Sequence, residues 1–303
     1  MGHVAAIDIG TNTIRLLVAS REKSGFQVVS RIRRITSMGK ALSSTGSIGD
    51  IEFNDSIEAL RAFRIELDRL GVQHYRACGT AGLRIAGNAD RFLAAAGNAG
   101  IRVEVISAEE EGRLAWTGML QGMTDHVRDV ILMDIGGGST EFTVGPKPGQ
   151  SASLPIGVVV AWSAFKPSDP PEPWQIAAMK HYFAERIASG TASLSARGIR
   201  RMVGTAGSFT TLAALDQRLR IYRPERIDGY VMSPESVRRW SDRLCSMTEA
   251  KRLALPGMEK GRENYMVPGM LQAVAAIERF GIRELVISDK GLLEGIIDDL
   301  TAS

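Results

Sequence analysis

The sequence predicts an α/β protein built from two duplicated halves, each containing a mixed β-sheet. Short apolar runs alternate with amphipathic helical stretches along the chain, which is typical of sheets covered by helices. The triplet Asp8-Ile9-Gly10 returns as Asp134-Ile135-Gly136, and Gly79-Thr80-Ala81-Gly82 returns as Gly204-Thr205-Ala206-Gly207. Two motifs that repeat at nearly the same offset indicate a duplication rather than chance.

The same order of elements is expected in both halves. In the first half we expect strands Val4–Asp8, Ile14–Ser20, Gln27–Ile35, Tyr75–Cys78 and Val103–Ile106, and helices Asn54–Leu70, Ala89–Ala96 and Glu109–Gln121. In the second half we expect strands Val130–Asp134, Glu141–Gly145, Ser151–Leu154, Arg201–Gly204 and Glu284–Ile287, and helices Pro173–Ser189, Ser208–Leu215, Pro234–Cys245, Met270–Phe280 and Leu292–Leu300. The expected domains are 1–124 and 125–289, with a closing helix in 290–303 that packs back onto the first.

The composition is that of an ordinary globular protein. A net charge of +3 over 303 residues does not favour nucleic acid as a partner. No apolar run reaches the roughly 20 residues that a membrane span needs. No signal peptide precedes the first strand, so we expect a cytoplasmic protein with no membrane partner. Two distant cysteines and four scattered histidines form no metal-binding spacing.

Each Asp-Ile-Gly triplet ends one strand and precedes another, so the glycine-containing loop joins two strands. Rossmann and Walker loops lead into a helix instead, and both are therefore excluded. Glycine lets backbone N–H groups converge on phosphate oxygens, and the hydroxyl and amide side chains that follow add donors. The expected phosphate-binding residues are Gly10, Thr11, Asn12 and Thr13 in the first loop and Gly136, Gly137, Gly138, Ser139 and Thr140 in the second.

The leading carboxylates, Asp8 and Asp134, repel phosphate, so they cannot bind it directly. We expect them to hold Mg²⁺ (or Mn²⁺) or its bound waters, which bridge to the phosphate. From the residues alone, three functions remain open: a phosphohydrolase, a kinase that directs the phosphate to a small acceptor, and a nucleotide-sensing or filament-forming protein whose output is binding.

Six segments resemble the exopolyphosphatase/guanosine pentaphosphate phosphohydrolase family of the actin/hexokinase/Hsp70 superfamily. They are residues 6–17, 79–84, 106–114, 134–141, 204–208 and 291–295, in the family's order. The resemblance implies two actin-like (ribonuclease H-like) domains with the active site in the cleft between them, and a homodimer. Many members carry a further C-terminal HD-type domain, and we expect a short, two-domain form without it.

The resemblance also implies an activity and roles for single residues. The expected reaction is Mg²⁺-assisted attack of water on the terminal phosphate of inorganic polyphosphate or pppGpp. The expected catalytic residues are Glu111, Glu141 and Arg84, and Gly207 and Ser208 are further expected phosphate contacts. Arg15 is a weaker candidate for phosphate binding. Leu293 and Asn264 depart from the family pattern, which often has an arginine and an acid at these positions.

Overall fold

The computed structural model describes residues 2–22, 25–120, 130–144 and 150–302 of the chain. It divides into two compact units, Met1–Gln121 with Gly291–Ser303, and Gly122–Lys290. The domain boundary expected at residues 124 and 125 lies outside the described residues, as do the expected ends of a helix at Gln121 and a strand at Gly145. None of the described helices is long and apolar enough to cross a membrane.

The first unit contains five strands and the helices that cover them. Its elements are β1 (His3–Ile9), β2 (Thr13–Arg21), β3 (Phe26–Ile35), α1 (Leu42–Thr45), α2 (Asp50–Arg69), β4 (His74–Gly79), α3 (Ala81–Ile85), α4 (Ala89–Asn98), β5 (Val103–Val105) and α5 (Ala108–Leu120). The strand order is β3-β2-β1-β4-β5, with β1 antiparallel to β2 and parallel to β4.

The second unit has the same arrangement with one strand more. Its elements are β6 (Val130–Ile135), β7 (Thr140–Val144), β8 (Ser151–Leu154), α6 (Val158–Phe165), α7 (Pro173–Gly190), β9 (Arg201–Thr205), α8 (Ala206–Asp216), α9 (Pro224–Ile227), β10 (Val231–Met232), α10 (Pro234–Cys245), α11 (Glu249–Leu253), α12 (Met266–Phe280) and β11 (Glu284–Ile287). The strand order is β10-β11-β9-β6-β7-β8. The closing helix α13 (Leu292–Ala302) belongs to the first unit.

The two sheets share one topology, which confirms the predicted duplication and fold class. β6 is antiparallel to β7 and parallel to β9, just as β1 is antiparallel to β2 and parallel to β4. β7 in turn pairs antiparallel with β8, as β2 does with β3. Each Asp-Ile-Gly triplet therefore lies at the carboxyl end of a central strand, where its loop turns back into a hairpin.

Apolar side chains hold helices against both faces of the first sheet. Ile7 and Leu16 pack in one buried cluster with Leu60 and Phe63 of α2. Ala6 and Leu17, which point to the opposite face, pack in a second cluster with residues of α5 and α13. Because successive strand residues alternate between faces, both faces of β1 are buried, which explains its nearly continuous apolar sequence.

Several predicted boundaries were wrong. Helix α2 begins at Asp50 rather than Asn54, because Asp50 and Glu52 favour a first turn and Phe53 is already buried. Helix α12 begins at Met266 rather than Met270, so Pro268 lies in its first turn. A proline is tolerated there because the N–H groups of the first turn have no hydrogen-bond partner within the helix, and the missing N–H costs nothing.

Candidate active site

The first phosphate loop is held by its carbonyl groups. The carbonyl of Thr13 accepts a hydrogen bond from the N–H of Gly10 at 3.0 Å, which closes the hairpin. The carbonyls of Thr11 and Asn12 accept from the turn that follows β3, including a 2.7 Å bond from the N–H of Gly39. A Cβ at Gly39 would overlap the Thr11 methyl group, so only glycine allows this approach.

The second phosphate loop is held in an equivalent way, by the start of α6. The N–H groups of Val158 and Val159 donate to the carbonyls of Gly136 and Gly137, each at 3.0 Å. These N–H groups belong to the first turn of a helix and have no partner within it. A Cβ at Gly157 would overlap the loop backbone, so the close approach of α6 depends on this glycine.

The N–H of Gly136 closes the second hairpin by donating to the carbonyl of Ser139 at 3.0 Å, so the N–H groups of the two predicted residues Gly10 and Gly136 are engaged within the protein. The N–H groups of the residues that follow them in each loop remain as donors. Among the described residues, no N–H of Thr11, Asn12, Gly137, Gly138 or Ser139 donates to a backbone carbonyl. Successive N–H groups in such turns form concave sites for anions. The geometry of both loops therefore fits phosphate oxygens.

Arg84 and Glu111, both predicted as catalytic, are in direct contact. Nη1 of Arg84 donates to Oε2 of Glu111 at 2.7 Å and to the carbonyl of Ile106 at 3.1 Å. The pair lies beside the first loop, because the N–H of Thr80 donates to the carbonyl of Ile9 at 3.2 Å. Arg84 lies in α3, the short helix that begins directly after Thr80.

Glu110, the residue before Glu111, anchors helix α5. Arg113 donates to Glu110 at 2.8 Å and to Asp299 of α13 at 2.6 Å. The hydrogen bond from Arg113, with a further one from Arg76, lowers the pKa of Glu110. Consecutive helix residues point about 100° apart, so Glu110 anchors α5 while Glu111 turns toward Arg84.

The duplicated strand pairs carry different charges in the two units. Asp8 lies opposite Arg15 across β1 and β2, and the two form an ion pair at 2.5 Å. The equivalent pair in the second unit is Asp134 opposite Glu141, across β6 and β7. The arginine thus offsets the charge of Asp8, whereas the second unit places two carboxylates on one face of neighbouring strands.

This carboxylate pair suits Mg²⁺. No group of three or more His, Cys, Asp or Glu side chains that could hold a metal occurs among the described residues. Mg²⁺ keeps several waters and binds through one or two carboxylates together with substrate phosphates, so the donors present fit it. Glu141 also accepts a 2.7 Å hydrogen bond from Ser153, which fixes its orientation.

Two expected phosphate donors have their side chains inside the fold. The fully buried hydroxyl of Thr140 donates to Gln272 at 2.6 Å, so this hydroxyl hydrogen is committed within the protein. The buried Ser208 side chain lies against Gly269 of α12. Gly207 lies in the first turn of α8, where the unpaired N–H groups of the helix favour an anion.

Sequence reasoning did not identify Arg262 as part of the site. Its guanidinium occupies the space that a Cβ at Gly207 would take, and its Nε donates to Glu259 at 2.6 Å. Arg262 lies two residues before Asn264, one of the two departures from the family pattern. A permanent positive charge at the start of α8 adds to the attraction of that helix end for phosphate.

Both departures from the family pattern have structural roles here. Leu293 is buried in the cluster that joins α13 to the first sheet. Asn264 accepts a 2.8 Å hydrogen bond from the fully buried Arg252 and donates to Glu249 at 2.8 Å. Burial lowers the pKa of Arg252. Neither residue contacts the phosphate loops through any of these interactions.

The chain resembles known proteins in both sequence and structure. A sequence model of the Ppx/GppA phosphatase family matches residues 17–303. Exopolyphosphatase 2 of Mycobacterium tuberculosis is 30% identical over 309 residues, which cover 97% of each protein. The structure of an exopolyphosphatase from Cytophaga hutchinsonii has a TM-score of 0.92 at 25% identity and covers 99% of this chain and 98% of that chain. The Ppx/GppA family member from Aquifex aeolicus has a TM-score of 0.83 at 28% identity, over 99% of this chain and 98% of that one.

Proposed function

Because the chain belongs to the Ppx/GppA phosphatase family, we propose that it is an exopolyphosphatase-type hydrolase. Its proposed reaction is attack of water on the terminal phosphate of inorganic polyphosphate or of pppGpp, with release of orthophosphate. The observation that carries the proposal is the contact of Glu111 with Arg84 beside a phosphate-binding loop. A carboxylate held by an arginine at this point supplies both a proton acceptor for water and a charge for the phosphate.

The roles of the residues follow from their chemistry. Glu111 takes the proton of the attacking water, and Glu141 acts through the Mg²⁺ that it would hold together with Asp134. Arg84 offsets the charge that develops on the phosphate oxygens. The backbone N–H groups that bind the phosphates are those with no backbone acceptor among the described residues, in Thr11, Asn12, Gly137, Gly138 and Ser139. Thr140 and Ser208 contribute through their backbones rather than their hydroxyls.

Mg²⁺ is part of the proposal. Asp134 and Glu141 would hold the ion, which supplies charge neutralisation for the phosphate when bound. Asp8 is the second expected ligand, but its ion pair with Arg15 makes it the weaker one. We therefore assign the metal role mainly to Asp134.

The substrate is tested by measuring initial orthophosphate release from short polyphosphate, long polyphosphate and pppGpp under identical conditions. The expected result is release from at least one of these without any added acceptor. No release from any of them at any Mg²⁺ concentration would show that the proposal is wrong. ADP formation from ATP that depends on a small acceptor would indicate a kinase instead.

The metal role is tested with Asp134→Asn, which removes a charge and keeps the size. The expected result is an increase of about tenfold or more in the Mg²⁺ concentration needed for half-maximal rate. Asp90→Asn is the matched control, because Asp90 is exposed in the first turn of α4. An unchanged Mg²⁺ dependence in Asp134→Asn, or turnover that survives exhaustive chelation, would contradict the role of Asp134.

A further inference from the structure

A buried glutamine in the second unit lies next to the phosphate loop. Helix α12 is almost entirely buried, and Gln272 is the polar residue among its buried side chains. The Gln272 side chain is fully buried, and its Oε1 accepts the 2.6 Å hydrogen bond from Thr140. Its Nε2 has no hydrogen-bond partner among the described residues. Burying an amide with an unbonded donor is unfavourable, whereas leucine or methionine would fill the same place without that cost.

Thr140 connects this glutamine to the predicted chemistry. It is the first residue of β7 and stands between Ser139 of the phosphate loop and Glu141. Its side chain points away from the face that carries Glu141, because neighbouring strand residues alternate. A contact that holds the Thr140 side chain therefore also fixes the position of the loop end and of the neighbouring Glu141.

The same face of α12 contacts a second part of the phosphate site. Gly269 lies three residues before Gln272, on the same side of the helix. A Cβ at Gly269 would lie 2.6 Å from Oγ of Ser208, at the start of α8, and 3.5 Å from Val158, at the start of α6. Helix α12 thus touches three segments that shape the phosphate site of this unit: the end of the loop, α6 and α8.

We propose that Gln272 is a positioning residue, which holds Thr140 against α12 and so keeps the second phosphate loop and Glu141 in register with α8. Its effect on rate rests on the proposed function, because Glu141 and the loop are the groups that it would place. Small displacements of such groups reduce rates strongly. The role is independent of which phosphate compound is the substrate.

A double-mutant cycle tests the proposal through kinetics. Gln272→Met and Thr140→Val keep size and remove the hydrogen bond from either side. We expect each to lower kcat about tenfold and to change KM less than about threefold. Each single variant leaves a buried polar group without its hydrogen bond and should unfold at a lower temperature, whereas the double variant removes both groups and should regain stability. The double variant should be no slower than either single variant, because the pair acts as a unit. Wild-type kcat in Gln272→Met, or a hundredfold loss in the double variant, would overturn the proposal.

Ser241→Ala provides the matched control. Ser241 is also a buried polar residue of the second unit, on α10. Removing its hydroxyl tests whether the loss of a buried polar group by itself changes the rate. We expect wild-type kcat and KM, and a tenfold loss of kcat here would overturn the proposal.

Hydrogen exchange gives a readout that needs no activity. We expect the amides of residues 136–141 to exchange at least tenfold faster in Gln272→Met than in the wild type, with no change in α7 (Pro173–Gly190). Equal exchange in the two proteins would refute the positioning role. If the wild type released no orthophosphate but the exchange still accelerated, the proposed function would fail while the role of Gln272 stood.

Discussion

Replacing Glu111 by glutamine separates catalysis from stability. The amide keeps the size of the side chain and still accepts from Arg84, which lies 2.7 Å away with both side chains largely shielded, 21% and 15% exposed. Losing the charge of the acceptor costs about 1 kcal/mol, the difference between a charged and a neutral hydrogen bond. Against a stability of about 5–15 kcal/mol, the variant stays folded and its melting temperature falls by about 1–4 °C.

The expected loss of rate is far larger. A general base contributes about 10²- to 10⁴-fold, which corresponds to about 3–5 kcal/mol in the activation barrier. Glu111→Gln should therefore bind substrate and unfold nearly as the wild type does, while its kcat falls at least a hundredfold. The assay is orthophosphate release at saturating substrate, with thermal unfolding followed by circular dichroism and binding measured by calorimetry.

Glu109→Gln is the matched control for this experiment. Glu109 stands in the same acidic first turn of α5 but is exposed. Its substitution removes the same charge from the helix start without touching Arg84, so kcat should stay within about twofold of the wild type. Full activity in Glu111→Gln, or an equal loss in both variants, would refute the assignment of Glu111 as the base.

Three further predictions follow from the packing and the pKa values. Gly157→Ala should lower kcat/KM at least tenfold and destabilise the protein by about 1–3 kcal/mol, measured by phosphate release and denaturant unfolding, because its Cβ would overlap the loop at Gly137. Hydrogen bonds from Arg69 and then Ser30 lower the pKa of Glu66 to about 2. The destabilisation of Glu66→Gln in urea should therefore be fully present above the usual pKa of 4.5 and disappear as the pH falls through about 2. Burial raises the pKa of Cys245 to about 11 and that of Cys78 further, so neither thiol should react with a disulfide reagent at pH 8 before the protein unfolds.

The fold was predictable because its strongest signals are local and repeated. The two Asp-Ile-Gly triplets each end a strand buried on both faces, so periodicity and glycine position indicated the hairpin correctly. Helix α6 was missed because its first turn, Val158 to Val160, consists of β-branched residues that have low helix propensity. Its N–H groups are satisfied by the carbonyls of the second loop, a tertiary contact that local propensity does not contain.

The candidate site was predictable in its residues but not in its contacts. The sequence indicated Arg84 and Glu111 separately, yet the hydrogen bond between them depends on how α3 and α5 meet at the edge of the sheet. Thr140 was expected to donate to phosphate because of its position in the motif. Its side chain faces the core instead, since strand alternation places it opposite to Glu141. The hydroxyl donates to Gln272, a partner distant in sequence that the local motif does not reveal.

In the proposed reaction, water attacks the terminal phosphorus of the substrate. Turnover of polyphosphate in water enriched in oxygen-18, followed by mass spectrometry of the released orthophosphate, tests it most directly. We expect one solvent oxygen in each orthophosphate released, with no label in the remaining chain after a single turnover. Unlabelled orthophosphate, or label in the shortened chain, would place the attack at another phosphorus and contradict the roles given to Glu111 and Arg84.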